Sequence, residues 1–360
     1  MNSRGVISIL GSLALLLALS AGQNAQPPED PPAASSASSP PQPAPAPQAP
    51  PAPSQAAPQN SAPASGAAPA AADQTQPAGN DAATTIHAIV NEVNVVFTVT
   101  DKHGHYVKDL KQTDFRVIDD TKPAKNIMSF HSETDLPLRV GLLVDASNSV
   151  RDRFKFEQES AVSFLDQTIR PHYDQAFVVG FDATPEVTQE FTDNTELLSR
   201  GVRQLQPGGG TAMYDALYFA CRDRLLKAPQ TGPLRKAIIL LSDGDDNQSH
   251  VTREQAIEMA QRADVIVYTI STNVMGGDEG GDKVLKRIAD ATGGRVFLPF
   301  QITDVSNAFA QIQEELRSQY ALSYKPVDFA ADGRFRTIAI LANDKKLKVR
   351  SKHGYYAPVQ

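Results

Sequence analysis

Five oxygen-bearing side chains stand where turns of the chain could bring them together: Asp145, Ser147, Ser149, Thr211 and Asp243. The first three occupy every second position directly after an unbroken apolar run, residues 140–144. Such a run reads as a strand buried on both faces, the kind found at the centre of a parallel sheet. Side chains alternate across a strand, but a chain turning off its end can aim an acid and two hydroxyls at one point. Thr211 follows the turn Gly208-Gly209-Gly210 and opens a helical pattern over residues 212–226. Asp243 follows a second buried-strand pattern, residues 237–242. Two carboxylates and three hydroxyls are hard donors, a set suited to Mg2+ and, less selectively, to Mn2+ or Ca2+.

Singly, each residue has an ordinary use. Acids and hydroxyls at strand ends commonly cap the next helix, and Asp243 could simply form a turn with Gly244. Their joint occurrence, each at the start of a loop after a strand or before a helix, favours a common site. Asp245 and Asp246 lie beside it and are more simply read as solvating the loop. Residues 273–282 are glycine-rich, carry Asp278, Glu279 and Asp282, and follow a strand, so they are expected on the same rim.

The elements that would position these side chains alternate. Helical patterns cover residues 154–169, 195–205, 252–263, 282–291 and 305–318, and strand patterns cover 139–145, 175–181, 186–191, 237–242, 265–270 and 295–298. Alternation at these lengths predicts a doubly wound, mainly parallel α/β sheet over residues 136–317. In such sheets ligands bind outside the carboxyl ends of the strands, where the five side chains fall. Thr252 and Gln255 are spaced for a capping box.

On either side the pattern changes. Residues 86–135 hold three short strand patterns, too few for a stable unit. Residues 318–358 hold three more, at 320–324, 335–340 and 347–351. One discontinuous β-sandwich is therefore expected, built from both ends, with the α/β domain inserted in it.

Residues 1–22 combine an early arginine, an apolar run and small residues, the pattern of a secretory signal peptide. An uncleaved anchor is the alternative, although the run is shorter than the ~20 residues of a membrane span. Residues 23–85 hold most of the chain's 26 prolines with alanine, serine and glutamine, and read as a disordered tether. The formal net charge of −7 offers no basic footprint for nucleic acid. Cys221 is the lone cysteine and sits in an apolar helical pattern, as a buried small hydrophobe would. Known catalytic signatures are missing: the glycine turn lacks the lysine of a phosphate loop, and neither a Gly-x-Ser-x-Gly elbow nor a His-Glu-x-x-His pair occurs. No enzyme activity is expected. His103 and His105 bracket a glycine in a turn, which supplies at most two zinc ligands.

The order Asp145-x-Ser147-x-Ser149, Thr211, Ser242-Asp243-Gly244 resembles the metal-ion-dependent adhesion site of von Willebrand factor type A domains, with no departure from its five-residue pattern. The resemblance covers roughly residues 137–317. The whole chain is similar to von Willebrand factor A-related proteins common in Acidobacteria, through Val99-Thr100-Asp101-Lys102-His103-Gly104, Asp114-Phe115-Arg116-Val117, Thr292-Gly293-Gly294-Arg295-Val296-Phe297 and His353-Gly354-Tyr355-Tyr356. What the resemblance implies is a secreted or periplasmic adhesion-type module, in which Asp145, Ser147, Ser149, Thr211 and Asp243 surround the ion. A protein partner would then present an Asp or Glu side chain to that ion. A structural component of the cell envelope, with the metal merely stabilising, is the alternative. A metal-assisted hydrolase is a weaker one, since no general base distinct from the ligands is evident.

Overall fold

A computed structural model describes residues 92–133, 136–229, 233–273, 279–301, 303–328 and 330–358. The expected signal peptide, the tether and residues 274–278 of the rim loop lie outside these residues. Among the described residues no helix is long and apolar enough to cross a membrane.

The first section is all strand: β1 (Val93–Thr100), β2 (Phe115–Asp119), β3 (Lys122–Pro123) and β4 (Asn126–Glu133). The middle section alternates. It runs β5 (Leu138–Asp145), α1 (Phe154–Thr168), β6 (Gln175–Phe181), β7 (Pro185–Thr192), α2 (Thr195–Gln204) and α3 (Met213–Phe219). It continues through β8 (Arg235–Ser242), α4 (Arg253–Arg262), β9 (Val265–Ser271), α5 (Glu279–Thr292), β10 (Val296–Phe297) and α6 (Asp304–Leu316). The last section returns to strands: β11 (Gln319–Lys325), β12 (Phe335–Ala342), β13 (Lys348–Ser351) and β14 (Gly354–Tyr356).

Strands of the middle section form one sheet in the order β10-β9-β8-β5-β6-β7, parallel except for the antiparallel edge strand β7. Every residue of β8 and β9 is buried, and so is all of β5 except Arg139, because helices cover both faces. One face packs Leu142, Val144, Ile239 and Leu241 against α1, α2 and α6, where Phe164 and Phe309 stack with centroids 4.8 Å apart. The other packs Leu143, Phe177, Ile238 and Leu240 against α3, α4 and α5. From β5 the chain moves first to β6 on one side and later to β8 on the other. The loops leaving β5 and β8 therefore diverge and open a crevice at the carboxyl ends.

Local signals set the helix ends. The Asn194 side chain accepts from the N–H groups of Glu196 and Leu197 at the start of α2, and Thr252 with Gln255 forms the expected capping box on α4. The single helix expected over residues 212–226 differs from the structure. It starts at Met213 and widens into a π turn over Ala220–Leu225, keeping Ala220, Cys221 and Leu225 buried. Apolar spacing over one turn does not separate i+4 from i+5, which is why the sequence pattern was blind to it.

The two end sections interleave in two antiparallel sheets, β13-β1-β11-β4 and β14-β12-β2-β3. Their facing side chains share one core. In it Phe97 meets Phe115 edge-on at 5.1 Å and stacks on Tyr320 at 5.6 Å.

Only Arg317 and Ser318 separate α6 from β11. The fully buried Glu315 of α6 accepts hydrogen bonds from Tyr268 of β9 and from Tyr106, both at 2.9 Å, and pairs with Arg350 of β13. One carboxylate thus ties the parallel sheet, its last helix and the sandwich together. Removing one partner of a buried ion pair strands the other charge, at a cost of about 3–5 kcal/mol. Glu315→Ala is expected to lower stability by roughly that amount in denaturant titration, and Glu315→Gln by less. An unchanged midpoint for Glu315→Ala would show that the cluster contributes nothing.

Candidate functional site

β5 ends at Asp145, fully buried, beside the end of β8. Its Oδ1 accepts the Ser147 N–H at 2.9 Å, and its Oδ2 accepts the Ser242 hydroxyl at 2.7 Å. Ser149 Oγ donates to Asp243 Oδ2 at 2.5 Å and lies 2.9 Å from Ser147 Oγ, so the Ser147 hydroxyl is left to donate to Ser149. Asp243 Oδ1 accepts the Asp245 N–H at 3.1 Å, and the Asn273 amide donates to the Asp243 carbonyl at 2.8 Å. Four of the five side chains singled out by the sequence are therefore joined in one hydrogen-bonded group.

Thr211 reaches the group through its loop rather than by a direct hydroxyl bond. The Gly208 N–H donates to the Ala146 carbonyl at 2.7 Å, and the Gly209 carbonyl accepts from the Asn148 amide at 3.2 Å. Gly209 has φ +66°, a conformation that favours glycine. On the other side, Asn247 accepts the Thr211 N–H at 3.0 Å while its own N–H donates to the Thr211 carbonyl at 3.0 Å. Thr211 is buried in this cradle. The helix N-cap falls on Ala212, without a side-chain bond, so Thr211 does not serve as the cap. Ser147 precedes a short 3-10 turn and likewise makes no capping bond.

Electrostatics set the site apart. Burial pushes the Asp145 carboxyl up to about 6; hydrogen bonds from Ser147 and Ser242 oppose this, and the Asp243 charge adds to it. Glu157, on α1 and 1% exposed, is pushed up to about 8 by burial, against the Arg153 charge and with help from Asp145 and Asp243. Neither Glu157 carboxylate oxygen has a hydrogen-bond partner, and Arg153 stands 3.5 Å away. Among the described residues no basic side chain forms an ion pair with Asp145 or Asp243. Nor do three His, Cys, Asp or Glu side chains gather into a cation cage among them. The group has two carboxylates, and its other donors are hydroxyls. These hard oxygens fit a divalent cation, with Asp145, Ser147, Ser149, Thr211 and Asp243 the residues that could hold it.

Several supporting residues were not singled out by the sequence. Asn247 holds the Thr211 loop and Glu157 adds a third buried carboxyl, and nothing in a linear pattern marks either; Ser242, which the sequence shows beside Asp243, fixes Asp145. Asp246, read as solvating the loop, accepts the Tyr214 N–H at 2.9 Å and the Ser249 hydroxyl at 2.7 Å, and so anchors the start of α3. Asp282 accepts the Ser271 hydroxyl at 2.6 Å and serves the scaffold. His103 and His105 lie exposed in a turn whose N–H groups bond Asp101.

A strand-end group of this kind, at the switch point of a doubly wound sheet, is the mark of one class of domain. Residues 140–315 match the model of the von Willebrand factor type A domain, and the chain carries a domain of that family. Bovine calcium-activated chloride channel regulator 1 is 29% identical over 184 residues, 48% of this chain, which spans 19% of that protein's length. A von Willebrand factor type A structure from Catenulispora acidiphila is 15% identical, with TM-score 0.45 over 75% of each chain. Proximal thread matrix protein 1 from the mussel byssus, with a zinc-occupied MIDAS motif, is 19% identical, with TM-score 0.44 over 55% of this chain and 49% of that one.

Glu157 gives the ion-free protein a pH signature. When unfolded it titrates near 4.5 and when folded near 8, so over that interval the folded chain holds a proton that the unfolded chain has lost. Stability in EDTA is expected to fall as pH rises through this window, by about 1–4 kcal/mol. Glu157→Gln should flatten the part above pH ~6, where Asp145 has already ionised. Urea midpoints at three pH values check this; identical slopes for both proteins would refute it.

Proposed function

We propose that this chain is a divalent-cation-dependent protein-binding module acting outside the cytoplasm. The observation that carries the reading is the pair of buried carboxylates, Asp145 and Asp243, joined through Ser147 and Ser149 without a cationic partner among the described residues. Such an arrangement is costly unless a counter-charge joins it. A bound Mg2+, Mn2+ or Ca2+ would supply that charge and offer an open coordination position to an oxygen ligand.

The chain's own groups define what that ligand is. Three of the five donors are neutral hydroxyls, so the two carboxylates leave no negative charge over once a divalent ion is present. An anionic oxygen, the Asp or Glu side chain of a partner, then completes the set. Ser147, Ser149 and Thr211 orient by hydrogen bonds to each other and to neighbouring loops, and Ser242 fixes Asp145 from the next strand. These side chains act in binding, and none is assigned a catalytic role. The leader pattern of residues 1–22 and the proline-rich tether support placing the module on the far side of the cytoplasmic membrane.

Proteins retained by the immobilised chain from an envelope extract of its own organism test the reading. A set held in millimolar Mg2+, released by EDTA and lost with Asp243→Ala is expected. Retention of the same set by Asp243→Ala in EDTA would mean that the sandwich does the docking and the cation does not.

A further inference from the structure

At one end of the sandwich the charge of the chain reverses. β1 ends and β13 begins there, with Thr100 opposite Lys348, and β12 ends beside the start of β2, with Ala342 opposite Phe115. The connecting segments are bound together. The Asn343 N–H donates to the Asp114 carbonyl and its side-chain amide to the Thr113 carbonyl, both at 2.8 Å, while the Val107 N–H donates to the Val99 carbonyl at 3.0 Å. Residues 101–116 and 343–348 therefore meet in one surface. It presents Lys102, Lys108, Lys111, Lys345, Lys346 and Lys348, all exposed.

None of these lysines forms an ion pair among the described residues. Of the four acids in the same segments, three are turned to the backbone. Asp101 accepts the N–H groups of His103 and His105 at 2.7 and 3.0 Å, Asp114 accepts that of Lys111 at 2.7 Å, and Asp344 accepts that of Lys346 at 2.9 Å. The chain as a whole carries a formal net charge of −7, so this local excess of lysine runs against its composition. Apolar surface adjoins it. Burial alternates along β12, which leaves Leu341 40% exposed on the outer face of its sheet, opposite the exposed Arg116 of β2.

These features together define a ligand class. Lysine is a compact, hydrated charge without the fork of arginine, so a cluster of lysines suits mobile phosphate headgroups better than one shaped anion. An exposed leucine beside them matches a bilayer interface, where cations meet the headgroups and an apolar side chain reaches the acyl boundary. We infer that this end of the sandwich docks on an anionic phospholipid surface, drawn there by the six lysines. The contact uses none of the five strand-end oxygen donors, so the sandwich would hold the chain at a membrane while the α/β domain binds its partner.

The test is sedimentation of the full chain with lipid vesicles in EDTA. Vesicles of phosphatidylcholine alone are compared with vesicles of phosphatidylcholine and phosphatidylglycerol in equal parts. Binding to the anionic vesicles is expected to be about tenfold tighter or more, and to weaken with added salt. The triple variant Lys345→Gln/Lys346→Gln/Lys348→Gln should lose about tenfold of that affinity while keeping its urea midpoint, since all three side chains are exposed. Equal binding to both kinds of vesicle, or undiminished binding by the triple variant, overturns the inference. Binding to soluble polygalacturonate that anionic vesicles do not displace also overturns it, and assigns the surface to an acidic polysaccharide. Because the assay contains no free divalent ion, its failure leaves the cation-dependent reading standing.

Discussion

Two acids buried in one hydrogen-bonded group are the constraint on which the rest of this structure turns. Asp145 ends β5 and Asp243 directly follows the adjacent parallel β8, and strands buried on both faces leave the side chains at their ends little water. Charge in such a place must be neutralised by a proton, by an opposite charge or by hydrogen bonds. Here the hydrogen bonds are partial. Ser242, Ser147, Ser149 and the Asp245 N–H occupy some carboxylate lone pairs, yet burial still keeps the Asp145 carboxyl near 6. Glu157 is a third buried acid within reach, beside Arg153, and burial leaves it holding its proton up to about pH 8. Among the described residues no basic side chain pairs with Asp145 or Asp243, and the proposed cation would supply the missing charge.

The scaffold explains how such loops are held. Converging side chains need short loops fixed at both ends, and the parallel sheet supplies this through registered strands and packed helices. Glycines at the crossings, Gly209 with φ +66° and Gly244 with φ +87°, let three loops approach without side-chain interference. At Gly244 a Cβ would stand 2.3 Å from the Gly281 carbonyl oxygen, so that turn is tied to the start of α5. At the opposite end of the sheet, α6 passes into β11 with two residues between, and Glu315 binds both sides of the join. A load placed on α6 would therefore be felt in the sandwich.

Much of this was legible in the sequence, for identifiable reasons. β5 and β8 are unbroken apolar runs ending in acids, and a pattern that strong has few other readings. The sandwich showed as alternating strands at both ends, each set too small to stand alone. Which strands pair was not legible: β1 lies between β11 and β13, more than 200 residues away in the chain, and no local signal encodes that. The site divides in the same way. Asp145, Ser147, Ser149, Thr211 and Asp243 stand out by spacing, whereas Asn247 and Glu157 act through tertiary contacts that spacing does not report. Asp246 was misread for the same reason, because its partner, the Tyr214 N–H, comes from another element.

The central claim is that this carboxylate pair accepts a divalent cation, and equilibrium unfolding of the full chain in Mg2+ and in EDTA tests it most directly. A cation bound only by the folded state stabilises by about 2.7 kcal/mol at a hundredfold excess over Kd. Asp145→Asn keeps the side-chain shape and removes one of the two charges, so it serves as the control. The expected result is stabilisation by Mg2+ in the unaltered chain and none in Asp145→Asn. Equal responses of the two proteins, or no response of the unaltered chain at millimolar Mg2+, would contradict the account.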